Sequence, residues 1–211
     1  MLVFAAETSC DETSICLMEN RSIIEHITFS QEIHKIHGGV VPELASRSHL
    51  EKIQIMTNEL FSRKNIDPNE IDVFSATCGP GLIGSLLVGS TFTKSLAISF
   101  QKPFIPINHL EGHILSTSFN NDIKFPSVVL LLTGGHTQVY LMKDERSIEL
   151  LGQSVDDAIG EAFDKTAKLI GLSYPGGAEI EREAVRGDEN RFILPKPLAK
   201  ENNFNFSFSG I

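Results

Sequence analysis

The chain has few of the residues that mark secreted, membrane-spanning or strongly nucleic-acid-binding proteins. Its 211 residues include three cysteines and no tryptophan, and 18 Lys and Arg stand against 27 Asp and Glu. An odd, small number of cysteines without metal-ligand spacing argues against a disulfide framework and fits a reducing cytosol. No apolar run approaches the ~20 residues of a membrane span, and residues 1–18 lack the basic start of a signal peptide. We expect a soluble cytoplasmic protein.

The shortage of basic residues also argues against strong unaided binding to nucleic acid. The net charge is −9, and neutralising phosphates requires clustered Lys and Arg. The densest basic stretch is diluted by acidic residues, which favours a solvated helix face over a binding patch. This stretch consists of Arg182, Arg186, Arg191, Lys196 and Lys200. A nucleic-acid substrate would therefore require partner proteins.

Short apolar runs that alternate with helical patterns predict an α/β protein. The predicted strands cover residues 2–6, 15–18, 73–77, 104–107, 128–132 and 138–142. Three helices are predicted. The first begins near Pro42 and carries Leu50, Ile53, Met56 and Leu60, and the second is apolar and ends near Phe100. The third covers residues 156–169 and is followed by a break at Tyr174-Pro175-Gly176-Gly177. Both halves begin with a strand, a polar or glycine turn and a second strand. The polar residues 120–124 predict a boundary between two lobes, 1–119 and 120–211.

Two histidines and a glycine pair are the strongest local indications of chemistry. His109 and His113 are four residues apart, so on a helix their imidazoles share one face and can bind one metal ion. The alternative is an exposed helix that carries two unrelated histidines. Gly134 and Gly135 follow an apolar strand, where backbone N–H groups can approach an anion closely. A metal site and an anion site together suggest chemistry on a phosphate or acyl-phosphate group.

Two further turns have both a functional and a structural interpretation. Ser9 and Asp11 lie at the tip of the first predicted hairpin and suit a phosphate or a hydrated Mg²⁺. The same side chains can equally stabilise the turn itself. The strand–glycine turn–helix sequence of residues 73–100 presents N–H groups to an anion, or its glycines allow close packing. It is not a P-loop, because no Gly-Lys-Ser/Thr follows.

Seven segments, taken in order, resemble one family. They are Glu7–Thr13 (ETSCDET), Gly38–His49 (GGVVPELASRSH), Gly79–Gly89 (GPGLIGSLLVG), His109–His113 (HLEGH), Asp156–Lys165 (DDAIGEAFDK), Tyr174–Gly177 (YPGG) and Phe206–Gly210 (FSFSG). The chain is similar to the TsaD family of tRNA threonylcarbamoyladenosine transferases, formerly called O-sialoglycoprotein endopeptidases or glycoproteases. The resemblance implies an actin-like ATPase (ribonuclease H-like) fold of two lobes, the second incomplete here and carrying a helical insertion.

The resemblance also implies a reaction and the molecules that take part in it. The family transfers threonylcarbamoyl from threonylcarbamoyl-AMP to N6 of adenosine 37 in tRNAs that read codons beginning with A. It implies one divalent metal, iron or zinc, and an adenine nucleotide, either this substrate or ATP with Mg²⁺. The implied partners are tRNA, an actin-like partner subunit and an ATPase subunit of the same modification system.

Carried over residue by residue, the resemblance implies two groups of site residues. The metal ligands would be His109 and His113, with a third ligand, an Asp, beyond Ile211. The substrate contacts would be Leu132, Thr133, Gly134, Gly135, His136, Asp164, Gly177 and, by position, Glu181. On this basis we expect residues 1–211 to be inactive alone.

Two other classes of protein compete with this interpretation. In a metalloendopeptidase of the H-E-x-x-H type, the glutamate directly follows the first histidine. Here Glu111 is two residues on, about 200° round the helix, and Gly112 weakens a helix at that point. A non-catalytic actin-like partner subunit would lack the His pair, which this chain retains. Cys10 and Cys78 are expected to be core residues and not nucleophiles.

Overall fold

The computed structural model describes residues 1–119 and 121–211. The chain divides into two compact units, Met1–Phe119 and Asn120–Ile211. The boundary predicted at residues 120–124 begins at Asn120, which lies outside the described residues. The assignment of these units to the two lobes of an actin-like protein stays a prediction.

The first unit is built on a mixed five-stranded sheet. Its elements are β1 (Leu2–Glu7), β2 (Glu12–Glu19), β3 (Ser22–Ser30), α1 (His34–His37), α2 (Pro42–Lys64), β4 (Val73–Gly79), α3 (Ile83–Ser99), β5 (Phe104–Asn108) and α4 (His109–Ser116). The strand order is β3-β2-β1-β4-β5. β2 is antiparallel to β1 and β3, whereas β4 is parallel to β1 and β5. The carboxyl ends of β1, β4 and β5 therefore meet at one edge of the sheet.

The core of the first unit lies between the sheet and the helices α2 and α3. Phe4 of β1 and Phe74 of β4 are fully buried, and their ring centroids are 5.7 Å apart. Along α2, the buried side chains Ile53 and Leu60 pack into the same cluster. Leu50 of the same helix is 68% exposed, because it lies outside the narrow stripe of α2 that reaches the sheet.

The second unit contains an antiparallel three-stranded sheet and two helices. Its elements are β6 (Ser127–Leu132), β7 (Thr137–Asp144), β8 (Ser147–Gln153), α5 (Ile159–Leu169) and α6 (Gly176–Ala184), with the strands in the order β6-β7-β8. β6 and β7 pair from Ser127 opposite Met142 to Leu132 opposite Thr137. Strand pairing thus continues up to the two residues that flank the turn, and Gly134 and Gly135 lie within that turn.

The segment before α5 attaches the last motif of the chain to β8. The predicted helix over 156–169 begins only at Ile159, because the Asp156 side chain is hydrogen-bonded to residues of the last motif. Its carboxylate accepts hydrogen bonds from the Ser207 hydroxyl at 2.5 Å and from the backbone N–H of Phe208 at 2.8 Å. These bonds, that from Ser207 first, lower the pKa of Asp156 to about 2. The carboxylate therefore stays charged and holds this segment at neutral pH.

The end of the second helix corrects the interpretation of the basic stretch. α6 begins at Gly176, inside the predicted break, and ends at Ala184. Of the five basic residues, only Arg182 therefore lies on a helix, and the prediction of one solvated helix face is wrong for the others. None of the helices in the described part of the chain is both long and apolar enough to cross a membrane.

Candidate functional site

The two histidines lie at the start of α4, where β5 ends. The Asn108 side chain accepts hydrogen bonds from the N–H groups of Leu110 at 2.9 Å and Glu111 at 3.2 Å. This N-cap starts a helix despite Gly112, because it satisfies two N–H groups that otherwise have no partner. The helix brings the Nε2 atoms of His109 and His113 to 3.2 Å from each other. The predicted convergence of the two imidazoles is present.

The spacing of these two nitrogens suits a metal ion. Two ligand nitrogens on a tetrahedral ion, each about 2.0–2.1 Å from it, lie about 3.3 Å apart. Desolvation, and next the charge of His109, lower the pKa of His113. A neutral imidazole is the form that binds a metal. The donor set therefore fits a divalent transition metal with two ligands from the described residues.

Glu7 also belongs to this cluster, although the sequence marks it only as the first residue of the ETSCDET motif. It is the last residue of β1, and its Oε2 lies 3.1 Å from Nδ1 of His109. The Ser9 hydroxyl lies 3.2 Å from the same nitrogen. Burial raises the pKa of Glu7, but hydrogen bonds from His109, Ser9 and Thr77 outweigh it and lower the pKa to about 2. A full negative charge therefore lies beside His109.

Of the two residues predicted at the hairpin tip, the structure brings one to the histidines. Ser9 contacts His109, as described above, whereas the Asp11 carboxylate lies beside the Cys10 thiol. Cys10 and Cys78 are both exposed, so the expectation that they are core residues is wrong. Cys78 lies near the end of β4, after the run of buried residues from Val73 to Thr77.

A third protein ligand is not found at this cluster. In residues 1–119 and 121–211, no three or more His, Cys, Asp or Glu side chains are grouped so as to hold a metal ion. Glu7 does not act as the third ligand, because its Oε2 faces Nδ1 and not the Nε2 side of the His109 ring. The described residues thus offer two imidazole ligands, and the Glu7 carboxylate contacts Nδ1 of His109, the ring nitrogen that does not face His113.

A buried hydrogen-bond network supports the turn that carries Ser9. His49 of α2 is fully buried, and its Nε2 lies 2.9 Å from the carbonyl oxygen of Cys10. The Thr13 hydroxyl lies 2.8 Å from Nδ1 of the same ring. A carbonyl can only accept, so Nε2 carries the proton and Nδ1 accepts from Thr13. His49 therefore attaches the turn to α2 in its neutral form.

Acidification is expected to weaken the first unit through His49. Burial lowers the pKa of His49, so below about pH 6.5 the unfolded chain binds a proton that the folded chain rejects. The free energy of unfolding should then fall as the pH decreases from 6.5 to 5, by at most about 1.4 kcal/mol per pH unit from this residue. Urea unfolding of the parent chain and of His49→Gln across this range measures the effect.

The His49 variant should be less stable at pH 7.5, by about 1–3 kcal/mol, and its stability should vary less with pH. His37→Gln, which removes an exposed histidine of α1, should keep the pH dependence of the parent. Equal slopes for the parent and His49→Gln would contradict the assignment of a neutral, buried His49.

In the second unit, the turn between β6 and β7 is closed by its own backbone. The N–H of Thr133 donates to the carbonyl of His136 at 2.9 Å, and the N–H of His136 donates to the Thr133 hydroxyl at 2.9 Å. A Cβ added at Gly134 or Gly135 would meet no atom within 4 Å, and neither residue has a positive φ. These glycines leave open space above the turn and are not required by its backbone conformation.

The start of α5 packs directly on this turn. A Cβ on Gly160 would lie 2.7 Å from the carbonyl oxygen of Thr133 and 2.8 Å from Cα of Gly134. The N–H of Ile159 donates to the Thr137 hydroxyl at 2.8 Å. Within the described residues, no acceptor is found for the next two N–H groups of the helix, those of Gly160 and Glu161. The positive end of α5 thus lies against the glycine turn.

Asp164 of α5 contacts the start of α6, the helix that carries Gly177 and Glu181. The Asp164 carboxylate accepts a hydrogen bond from the N–H of Gly176 at 2.7 Å, at the first turn of α6. Gly177 and Glu181 lie four residues apart on α6 and so share one face. Leu132, the remaining predicted contact, ends β6 and is half exposed. The described contacts therefore join Asp164 to the start of α6, and the substrate roles of these residues stay predictions.

Comparison with known proteins decides the family. The model of the family TsaD, tRNA N6-adenosine threonylcarbamoyltransferase, matches residues 22–211. The chain belongs to the TsaD family. A curated relative of that name from Fervidobacterium nodosum is 48% identical over 213 residues, which cover 100% of this chain and 63% of the relative. Another, from Thermosipho africanus, is 46% identical and is covered to 64%. This TsaD chain thus spans less than two thirds of the length of these relatives.

Two solved structures share the fold of this TsaD chain at low sequence identity. A ROK family protein from Streptococcus pneumoniae matches 89% of the chain with a TM-score of 0.54 and 10% identity, and 68% of that protein is covered. The Lmo2764 protein from Listeria monocytogenes matches 90% with a TM-score of 0.51 and 10% identity, and 72% of it is covered. The chain has the actin-like ATPase fold, as predicted.

Gly81, which precedes α3, and Gly89, which lies within it, serve packing in this TsaD chain. A Cβ on Gly81 would lie 2.6 Å from the Ser9 carbonyl oxygen, and one on Gly89 would lie 2.2 Å from the Thr8 hydroxyl. The N–H of Leu82 donates to the same Ser9 carbonyl at 2.8 Å. Of the two interpretations left open for this segment, the packing contacts support the structural one. They hold the β1–β2 turn against α3.

The metalloendopeptidase interpretation is not favoured by the family or by α4. Glu111 lies in the first turn of α4 and is exposed, whereas His109 and His113 face each other on another side of the helix. A glutamate two residues after the first histidine cannot occupy the position of the base in an H-E-x-x-H helix.

Proposed function

We propose that the protein transfers the threonylcarbamoyl group from threonylcarbamoyl-AMP to N6 of adenosine 37 in tRNAs that read codons beginning with A. The observation that supports this most directly is the His109–His113 pair, with Nε2 atoms 3.2 Å apart, in a chain of the TsaD family. In the reaction the adenine N6 forms a bond to the carbamoyl carbon, the bond from that carbon to the phosphate oxygen breaks, AMP leaves and N6 loses one proton.

His109 and His113 would hold one divalent metal, iron or zinc. When bound there, such an ion supplies Lewis-acid polarisation of a phosphate or carbamoyl oxygen. The chain's own contribution is to present two Nε2 lone pairs at the edge where β1 and β5 end. The family would complete the site with a third ligand, since a stable tetrahedral catalytic site uses three protein ligands.

The second unit would hold the adenylate. The open space beside Gly134 and Gly135 allows a ligand to approach the backbone closely, and we assign Leu132, Thr133 and His136 to the same site. The two N–H groups at the start of α5 would attract a phosphate, because they carry the positive end of the helix dipole. Asp164, Gly177 and Glu181 would contact the remainder of the nucleotide. In the first unit, Ser9 and Asp11 would contact phosphate or Mg²⁺ when ATP is bound.

The acceptor amine is a weak nucleophile, so positioning and electrostatic stabilisation should contribute most of the rate enhancement. This agrees with the described residues, in which neither the Cys10 thiol nor the Cys78 thiol is hydrogen-bonded to a histidine that could activate it; His49 contacts only the backbone carbonyl of Cys10. The proposed partners are tRNA, an actin-like partner subunit and an ATPase subunit, and the reaction would take place in the cytoplasm. We also assign the two units to the two actin-like lobes.

The proposal is tested with a chimera in which residues 1–211 are followed by the part of the Fervidobacterium nodosum relative that this chain does not match. It is incubated with threonylcarbamoyl-AMP, the two partner subunits of that organism and a tRNA transcript with adenosine at position 37. Mass spectrometry of the digested tRNA should detect threonylcarbamoyladenosine. A transcript with guanosine at position 37 is the matched control and should stay unmodified.

Unmodified tRNA with both transcripts, from a folded chimera that binds adenylate, would contradict the proposed transfer. Metal at about one ion per chain would still separate a catalytic member from a non-catalytic actin-like subunit, which should bind none.

A further inference from the structure

We propose that Glu7 is a positioning residue, whose carboxylate holds the proton of His109 on Nδ1 and thereby directs the Nε2 lone pair towards His113. This inference rests on the proposed metal site. Glu7 would fix the tautomer and the orientation of one metal ligand, His109. Metal affinity would then depend on a residue that does not touch the metal. The sequence places Glu7 102 residues before His109.

Both oxygens of the Glu7 carboxylate are engaged. Oε1 accepts a hydrogen bond from the N–H of Ser9, and Oε2 lies 3.1 Å from Nδ1 of His109. The backbone of Glu7 is fixed by strand pairing, because β1 lies between β2 and β4 and Glu7 itself pairs with Ser14. A carboxylate held at both oxygens and along its backbone can fix the orientation of the ring it contacts.

The chemistry of the contact determines which nitrogen carries the proton. An ionised carboxylate can only accept a hydrogen bond, and a neutral imidazole has one N–H. The contact therefore requires the proton on Nδ1, which leaves Nε2 of His109 unprotonated where it faces Nε2 of His113. Carboxylates that accept from the second nitrogen of a metal-binding histidine act in this way, and their loss lowers metal affinity by roughly 10- to 100-fold.

Glu7 acts through His109 and not as a ligand itself. Its contact is with Nδ1, on the side of the ring away from the site between the two Nε2 atoms. The Ser9 hydroxyl, 3.2 Å from Nδ1, lies on the same side and can accept from the same proton. Loss of Glu7 should therefore weaken the preference for one tautomer without removing a coordinating atom.

The matched pair of variants is Glu7→Gln and Glu19→Gln. Glutamine keeps the size of the side chain and its carbonyl can still accept from Ser9, so Glu7→Gln should fold. Glu19 is an exposed glutamate at the opposite end of the same hairpin, where it pairs with Leu2. Both variants remove one negative charge, and only the first removes it from beside His109.

Zn²⁺ titration by calorimetry and ¹⁵N-histidine NMR of the metal-free chain provide two independent measurements. We expect Glu7→Gln to bind Zn²⁺ about 10- to 100-fold more weakly than the parent and to shift His109 from the Nδ1–H tautomer towards a mixture. Glu19→Gln should match the parent in both measurements. Well-dispersed amide spectra confirm that each variant is folded.

The possible failures are distinguishable. If the parent binds Zn²⁺ and Glu7→Gln binds it equally well with the same tautomer, the role of Glu7 is wrong while the proposed metal site stands. If neither the parent nor the chimera binds Zn²⁺, the metal site fails and this inference fails with it.

Discussion

Replacing His109 by alanine is expected to remove bound metal and transferase activity together. One imidazole and one further carboxylate hold a divalent ion weakly, because a stable tetrahedral site uses three protein ligands. In the chimera the bound metal should fall from about one ion per chain to near zero. The rate of threonylcarbamoyl transfer should fall by more than about 100-fold, which exceeds the loss expected when a residue that only contacts a metal ligand is removed. Elemental analysis and the tRNA assay measure the two quantities on one preparation.

Glu111→Gln is the matched control for this prediction. Glu111 lies on the same helix, two residues from His109, and is exposed. Its loss should leave metal content and activity unchanged, whereas a metalloendopeptidase that used it as a base would be inactivated. Full transfer activity in a metal-free His109→Ala chimera would show that the metal is not part of the reaction.

Replacing Gly160 by alanine is expected to destabilise the second unit and weaken adenylate binding. Alanine is the better helix former by about 1 kcal/mol, so helix propensity alone predicts a more stable protein. In this fold the added Cβ would lie 2.7 Å from the Thr133 carbonyl oxygen and 2.8 Å from Gly134 Cα. Both are backbone atoms of a closed turn, so α5 must move away, which should cost about 1–3 kcal/mol in the free energy of unfolding.

Gly177→Ala is a closely matched control for stability. Gly160 and Gly177 are each the second residue of a helix, α5 and α6, but a Cβ on Gly177 would meet no atom within 4 Å. The Gly177 variant should therefore be unchanged or more stable by up to about 1 kcal/mol. Urea unfolding that shows Gly160→Ala to be as stable as Gly177→Ala would contradict the close packing of α5 on the turn.

Adenylate binding, measured by calorimetry with AMP, separates packing from ligand contact. Gly160→Ala should bind AMP at least about 10-fold more weakly, because the displaced turn should lose about 1.4 kcal/mol or more of binding free energy, which corresponds to that factor. Gly135→Val should keep its stability, because the space above Gly135 is open, and yet lose affinity because a ligand would occupy that space. Undiminished binding by Gly135→Val would show that this space is not the adenylate site.

The strands and helices that have a strong apolar pattern could be predicted from the sequence, and the weakly patterned ones could not. β1 and β4 are central strands with buried apolar residues, and both were predicted. β3 (Ser22–Ser30) lies at the edge of its sheet and includes Glu25 and His26 among its apolar residues. An edge strand faces solvent on more sides, so its sequence need not be apolar, and it was missed together with β8.

The glycines show why a motif alone does not determine the role of its residues. Gly81 and Gly160 are close to backbone atoms of distant segments, whereas Gly134 and Gly135 face open space. The sequence makes Gly81, Gly134 and Gly135 candidates for anion binding, and it gives Gly160 no role beyond its place in a motif. The difference depends on what lies opposite each residue, which a local pattern does not contain.

Seven motifs in order predict the family, and the spacing of His109 and His113 predicts that their imidazoles converge. That convergence is local, because an i, i+4 spacing on a helix started by Asn108 places two side chains on one face. Two other contacts could not be predicted from the sequence: that of Glu7 with His109, and that of His49 with the Cys10 carbonyl, 39 residues away along the chain. The first contact arises because the parallel strands β1, β4 and β5 bring their carboxyl ends to one edge of the sheet, and the second because α2 packs against β2. Neither pair of residues has a periodic relation in the sequence.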